Sequence, residues 1–176
     1  MFRIFTAKDG KKIVIRLIVP SDLKEAKKIT DFINSIIAER DFMPLNKRKT
    51  IEEEREVVKK WIMDRSAYHI VAEHNKMVVG KAEISRNKEG KSHVAELGIL
   101  LRKGYREVGL GTEMMKVLIT KARKLKLKFV RLVVFSTNKR AIELYKKFGF
   151  MEVARIPKQF QRRGKLIDEI IMLKKL

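Results

Sequence analysis

The 176-residue chain contains no cysteine. That excludes disulfides, thiolate zinc sites and a cysteine nucleophile. Histidine is nearly as scarce, with only His69, His74 and His93. His69 and His74 stand five apart in a strand–turn region, so they do not share a face, and no carboxylate cluster accompanies them. They are expected to be partly exposed and without a metal. A G-x-S-x-G elbow is also missing, so serine or cysteine nucleophilic catalysis and metal-assisted hydrolysis have no support in the sequence. No apolar run reaches the roughly 20 residues that span a bilayer, and the opening MFRIFTAKDGKK lacks a signal-peptide core. No Pro/Gly/Ser-rich linker or repeat divides the chain. The expectation is one cytoplasmic domain over residues 1–176, with no membrane partner.

Acidic residues are half as numerous as basic ones, 21 against 42, for a formal charge of +21. Such an excess favours polyanions, and it makes nucleic acid or the ribosome a candidate partner. However, the basic residues are spread around helices, as at Lys121, Arg123, Lys124, Lys126 and Lys128. That is how a solvated lysine-rich surface looks, including that of a heat-adapted protein. Hydrophobic residues make up 45% of the chain, enough for a packed core.

Periodicity divides the chain into elements. Lys12 to Val19 (KIVIRLIV) reads as the first strand. PSDLKEAKKITDFINSIIAE reads as a helix with Ser21 as N-cap and a stripe at Leu23, Ala26, Ile29, Ile33 and Ile36 or Ile37. RDFMPLNKRK reads as a loop. A second helix opens with a capping box at Thr50 and Glu53. YHIVAEH, MVVGKAEIS and HVAELGILL follow as an antiparallel meander, the first two joined by a turn at Asn75-Lys76. A helix from Leu110 to Leu125, the buried strand FVRLVVF and the helix NKRAIELYKKF come next, the last ended by Gly149. FMEVARI and KLIDEIIML close the chain as strands on either side of a polar loop. The fold class is mixed α/β.

The chemistry concentrates at GYREVGLGT, Gly104 to Thr112, between a strand and a helix. Backbone N–H groups at a helix N-terminus attract anions, and Gly109 and Gly111 let a phosphate approach the main chain. A dinucleotide fingerprint needs a third glycine where Met114 stands, and a P-loop needs G-K-[ST] where Gly111 is followed by Thr112 and Glu113. What remains is R-x-x-G-x-G, Arg106 to Gly111, preceded by AELGILL. It is followed by N-x-x-A-x-x-x-Y-x-x-x-G-F, carried by Asn138, Ala141, Tyr145, Gly149 and Phe150.

In these motifs, in this order, the chain resembles the GNAT superfamily, the acetyl-CoA-dependent N-acetyltransferases related to Gcn5. The likeness is tightest from Lys81 to the end and looser over the opening strand, helix and helix. It implies a central, mostly antiparallel twisted sheet of six to seven strands, splayed between strands 4 and 5 and flanked by about four helices. Acetyl-CoA is the implied co-substrate, without a metal. By resemblance, Glu107, Val108, Gly109, Leu110, Gly111 and Thr112, in the turn opened by Arg106, hold the pyrophosphate through backbone N–H groups. Ile99, Leu100 and Leu101 pair with the pantetheine arm, an N–H there (that of Leu100) polarises the acetyl carbonyl, and Asn138 contacts the arm near its amide. Lys139 or Arg140 meets the 3′-phosphate. Tyr145 is the implied donor to the departing thiolate, although it also falls on the apolar face of its helix. Glu96 is the implied base, directly or through water, and otherwise an edge-strand carboxylate.

The acceptor that the resemblance implies is an amine on a small molecule, an amino acid, a lysine or a protein N-terminus. Phe42, Phe160 and Gln161 are candidates to line its groove, and Asp168 or Glu169 to attract it. A basic RNA- or ribosome-binding module and an acetyl-CoA sensor are the rival readings; both monomer and homodimer fit.

Overall fold

The computed structural model describes residues 2–39, 41, 47–87 and 90–176. Its first element is not expected from the sequence. β1 (Phe2–Thr6) pairs antiparallel with β2 (Lys12–Leu17), from Phe2↔Arg16 to Thr6↔Lys12. The connecting turn closes with the Ala7 N–H on the Lys11 carbonyl at 2.9 Å and places Gly10 at φ 82°.

The helix expected from Pro20 is broken in two. A 3₁₀ turn covers Pro20–Leu23, and α1 runs over Ala26–Glu39. Asp22, not Ser21, organises the entry. Its buried carboxylate accepts the Val19 N–H at 2.7 Å and both terminal nitrogens of Arg16, at 2.9 and 2.7 Å. A bidentate, charge-assisted pair of this kind holds the chain in the tight turn that a regular helix would abolish. α1 then buries Ile29, Phe32, Ile33, Ile36 and Ile37 on one face. α2 (Ile51–Met63) begins at the expected capping box, with Glu53 N–H on Thr50 Oγ1 and Thr50 N–H on Glu53 Oε2.

The meander forms as β3 (Ala67–His74), β4 (Met77–Arg86) and β5 (Val94–Leu101), antiparallel throughout. Asn75 and Lys76 both take positive φ, 49° and 62°, which suits the two-residue hairpin turn. α3 (Leu110–Lys124), β6 (Phe129–Phe135) and α4 (Lys139–Lys147) follow, then the hairpin of β7 (Met151–Arg162) and β8 (Lys165–Lys175). β7 therefore occupies most of the stretch expected as a polar loop. Among the described residues the sheet has eight strands, ordered β1-β2-β3-β4-β5-β6-β8-β7. β1 accounts for the strand beyond the expected seven.

Neighbouring residues on one strand send their side chains to opposite faces, and the core divides accordingly. Ile70, Ala72 and Val79 pack with Met114, Met115 and Leu118 of α3. Val71 and Val78 pack with Phe32 and Ile33 of α1 and Val58 of α2. Each fully buried aliphatic side chain contributes about 1.5–3 kcal/mol relative to exposure. The sheet is thus packed on both faces.

Candidate active site

Among the described residues β5 and β6 are the only parallel neighbours, and they pair over three positions, from Val94↔Phe129 to Glu96↔Arg131. Past Glu96 they part: residues 132–135 of β6 pair with β8 and not with β5. The facing edge of β5, from Leu97 to Leu101, has no strand beside it among the described residues. It is a slot into which an extended, amide-bearing chain fits as an added strand. A cavity of about 1140 Å³ opens along this splay. Its walls bring together Ile99, Leu100, Leu101, Arg106, Glu107, Val108, Gly109, Gly111, Thr112, Asn138 and Tyr145, which are far apart in sequence. Two expected residues are not on the wall. The side chain of Leu110 is completely buried in the core, so only its backbone is left to serve the loop. Glu96 is the other.

At one end of the cavity lies the N-terminus of α3. Gly109 is its N-cap at φ 89°, a left-handed conformation that side chains disfavour, and no side chain among the described residues caps the helix. The first intrahelical bond runs from Glu113 N–H to the Gly109 carbonyl at 3.1 Å. The N–H groups of Leu110, Gly111 and Thr112 precede it and have no helical acceptor, which is the arrangement that binds anions. Gly111 is favoured for a different reason. A Cβ there would stand 3.2 Å from Leu144 Cδ2 and 3.3 Å from Leu101 Cδ1, so its smallness lets α3, α4 and β5 meet.

The loop is braced on two sides. Lys8 donates its N–H to the Val108 carbonyl at 3.0 Å. Arg106 donates through Nε and Nη2 to the Leu101 carbonyl, at 2.9 and 2.8 Å, and Nη2 lies 2.6 Å from Glu39 Oε2. The Arg106 side chain therefore ties the end of β5 to the end of α1 and shapes the loop from behind. Glu107, at φ 65°, pairs with Arg140 at 3.0 Å, both side chains being exposed. Lys8, Lys116, Lys139 and Lys147 add positive charge to the cavity rim. Asn138 caps α4, its Oδ1 accepting the Ala141 N–H at 3.2 Å, so its amide NH₂ is the group left to meet a ligand.

Tyr145 is at once a core and a wall residue. It is 5% exposed and packs its ring 6.0 Å from that of Phe150. Burial pushes its phenol pKa up, so it is a weaker acid than a free tyrosine and stays protonated. Glu96 Oε1 accepts from Arg131 Nη1 at 2.8 Å, at the closed end of the splay where β5 and β6 still pair.

Other carboxylates reach the wall. Glu83 on β4 stands in register with Gly98. Burial raises its pKa, but His69 and Lys81 together outweigh that and hold it down at about 2. Lys81 Nζ is 2.5 Å from Glu83 Oε2 and 3.8 Å from the centre of the Trp61 ring, while His69 Nδ1 lies 3.0 Å from the same oxygen. Glu169 of β8 and Phe160 of β7 also line the cavity; Gln161 does not. Asp168 is turned to the surface, accepting from the Lys158 N–H and from Arg155, so the acidic candidate on the wall is Glu169. Phe42 lies outside the described residues. Among the described residues no group of three potential ligands gathers as a metal site.

The wall also holds residues absent from the sequence-based candidates, among them Phe5, Thr6 and Lys8, which follow from β1, and Lys81 and Glu83 on β4. The first three carry a usable signal, since Asp9-Gly10 after the alternating FRIFT marks a hairpin.

Comparisons with known proteins agree with this geometry. Residues 34–150 match the model of the acetyltransferase (GNAT) family. The L-amino acid N-acetyltransferase AaaT of Escherichia coli (strain K12) is 31% identical over 97 residues, which are 54% of this chain and 60% of that protein. The chain thus spans three fifths of that relative's length. Among solved structures, an acetyltransferase of the GNAT family from Streptococcus pneumoniae superposes with a TM-score of 0.81 at 25% identity, covering 93% of this chain and 99% of its own. A GNAT superfamily phosphinothricin acetyltransferase from Sinorhizobium meliloti, solved in complex with AcCoA, shares the fold with a TM-score of 0.81 at 19% identity, over 98% of this chain and 89% of its own.

Proposed function

The chain belongs to the acetyltransferase (GNAT) family, and on that premise we propose that it transfers an acetyl group from acetyl-CoA to a primary amine. The observation that carries this reading is the splay itself. The unpaired edge of β5, the open N-terminus of α3 and the Tyr145 phenol all face one cavity. Anion-binding N–H groups, a strand edge for amides and a rim of lysines are the features acetyl-CoA requires.

Acetyl-CoA supplies the thioester that the amine attacks. The protein's part is to bind, orient and move protons. The N–H groups of Leu110 to Thr112 hold the pyrophosphate with the helix dipole behind them. Ile99, Leu100 and Leu101 align the pantetheine arm. The Leu100 N–H is turned into the β4 ladder opposite Lys81, so the donor on the open edge is the Ile99 N–H and not the expected Leu100. A fixed donor there is worth most as negative charge grows on the acetyl oxygen. Lys139 is the wall cation assigned to the 3′-phosphate, since Arg140 is engaged with Glu107. Tyr145, kept protonated by burial, donates to the departing sulfur. Glu96 stands off the wall with its carboxylate on Arg131. The amine's proton therefore leaves through water in the open cavity, and Glu96 acts on it only through that water.

The relationship to an L-amino acid N-acetyltransferase supports placing free amino acids and small amines ahead of protein N-termini as acceptors. The test is free-thiol release from acetyl-CoA with a panel of amino acids, arylalkylamines and N-terminal peptides. Amine-dependent release is expected. Release no faster than background hydrolysis with every amine would overturn the reading.

A further inference from the structure

Among the described residues four carboxylates line the cavity: Glu83, Glu107, Glu113 and Glu169. Three already have cations. Glu83 lies between Lys81 and His69, Glu107 meets Arg140, and Glu113 meets Arg3 at 2.5 Å and Lys116 at 3.4 Å. Glu169 alone makes no side-chain hydrogen bond or ion pair among the described residues. This stands out in a chain with twice as many basic as acidic residues.

Its setting is that of a ligand-facing group. On β8, Glu169 stands in register with Phe135 of β6 on one side and Ile156 of β7 on the other. From Ile156 to Phe160, β7 advances four residues while β8 advances two, from Glu169 to Ile167. The slack is taken up at Lys158, which adopts φ 54° and donates its N–H to Asp168 Oδ1 at 3.0 Å. This bulge brings the Phe160 ring to 4.5 Å from that of Phe135. A half-buried carboxylate beside two aromatic rings offers an ammonium both a charge and a ring face, although the Phe135 ring already has the Arg162 guanidinium 5.7 Å from its centre. Across the cavity, Glu83 cannot play this part, because Lys81 and His69 already occupy it.

We propose that Glu169 is the docking group for the acceptor's ammonium, with Phe135 and Phe160 flanking the carbon that carries it. The favoured acceptor is then a primary amine on an apolar or aromatic body, not a polycation or a neutral nucleophile. The proposal rests on the reading of the cavity as the site of amine acetylation, and its test does not require turnover.

Benzylamine and its neutral counterpart benzyl alcohol are titrated by calorimetry, near neutral pH, into protein saturated with CoA. Wild type is expected to bind benzylammonium about tenfold or more tightly than the alcohol, as a charge-assisted hydrogen bond requires. Glu169→Gln should reduce that ratio to about one, and Glu169→Asp should retain part of it. Acetyl-CoA affinity should stay unchanged in both variants, which reports an intact fold. An equal preference in wild type and Glu169→Gln would overturn the proposal, as would failure of wild type to bind benzylammonium. If the amine preference depends on Glu169 yet no amine is acetylated, the activity assignment falls and the docking site stands. If amines are acetylated and Glu169→Gln changes neither their binding nor their turnover, the docking site falls and the activity assignment stands.

Discussion

At the scale of single residues, Tyr145 joins two roles that compete when only the sequence is available. Its helix face places it in the core, and the splay opens that part of the core to the cavity, so its packing is compatible with the proposed donor role. Tyr145→Phe should therefore keep the packing and lower kcat roughly 10²-fold, with the KM for acetyl-CoA little changed. Glu96→Gln, acting through water, should cost less. Because burial raises the phenol's pKa, no loss of rate from its titration is expected near pH 10, where a free tyrosine ionises. A pH–rate profile compared with that of Tyr145→Phe checks this. Glu83 gives a second prediction. Its folded-state carboxyl is held at about 2, below its ordinary value, so its stabilisation is fully present above the ordinary carboxylate range. That contribution is lost as pH falls from about 4.5 toward 2. Thermal melts across this window should show a shallower pH dependence for Glu83→Gln, and an unchanged slope would contradict the ion-pair account. Which carboxylate reaches the cavity is not legible in the sequence. Glu83 and Glu96 both lie on meander strands, and the answer depends on where the β5–β6 ladder stops, which is a tertiary fact.

Among the elements, those with a strong local signal are legible. The α2 capping box is one: Thr50→Ala should destabilise the protein by about 1 kcal/mol in chemical denaturation without changing acetyl-CoA affinity. The α3 loop is another, with strand, glycine turn and helix in the expected order, although Gly111 is favoured by packing against Leu144 and Leu101. β7 shows why some elements escape. Every residue from Met151 to Gln159 is exposed, so no alternation of apolar and polar residues marks it as a strand, and PKQFQRR carries a loop's composition. Its pairing to β8 comes from backbone hydrogen bonds and the positive-φ turn at Arg163 and Gly164. The start of α1 differs from its expected place because the organising group, Asp22, is fixed by Arg16 from another strand. β1 has only the Asp9-Gly10 turn to announce it, because its outer-edge residues are exposed and bury no apolar stripe.

For the whole molecule, the order of strands shapes the cavity. Among the described residues every pairing in the sheet is antiparallel except that of β5 with β6, and the gap beyond this short parallel contact is where we propose that cofactor and acceptor meet. The charge of +21 is a property of this scale as well. It raises the local concentration of an anionic ligand around the cavity, and salt screens it beyond about 10 Å at 0.1 M. On the proposed reading, the site's own N–H groups and strand edge, not that diffuse field, select acetyl-CoA. Titration calorimetry of acetyl-CoA into wild type and Gly109→Val at moderate salt tests this most directly. Valine cannot easily hold the left-handed conformation at the N-cap of α3, so the account predicts saturable binding with one ligand per chain for wild type, and its loss in a variant whose circular dichroism is unchanged. No binding by wild type, or equal binding by both proteins, would contradict it.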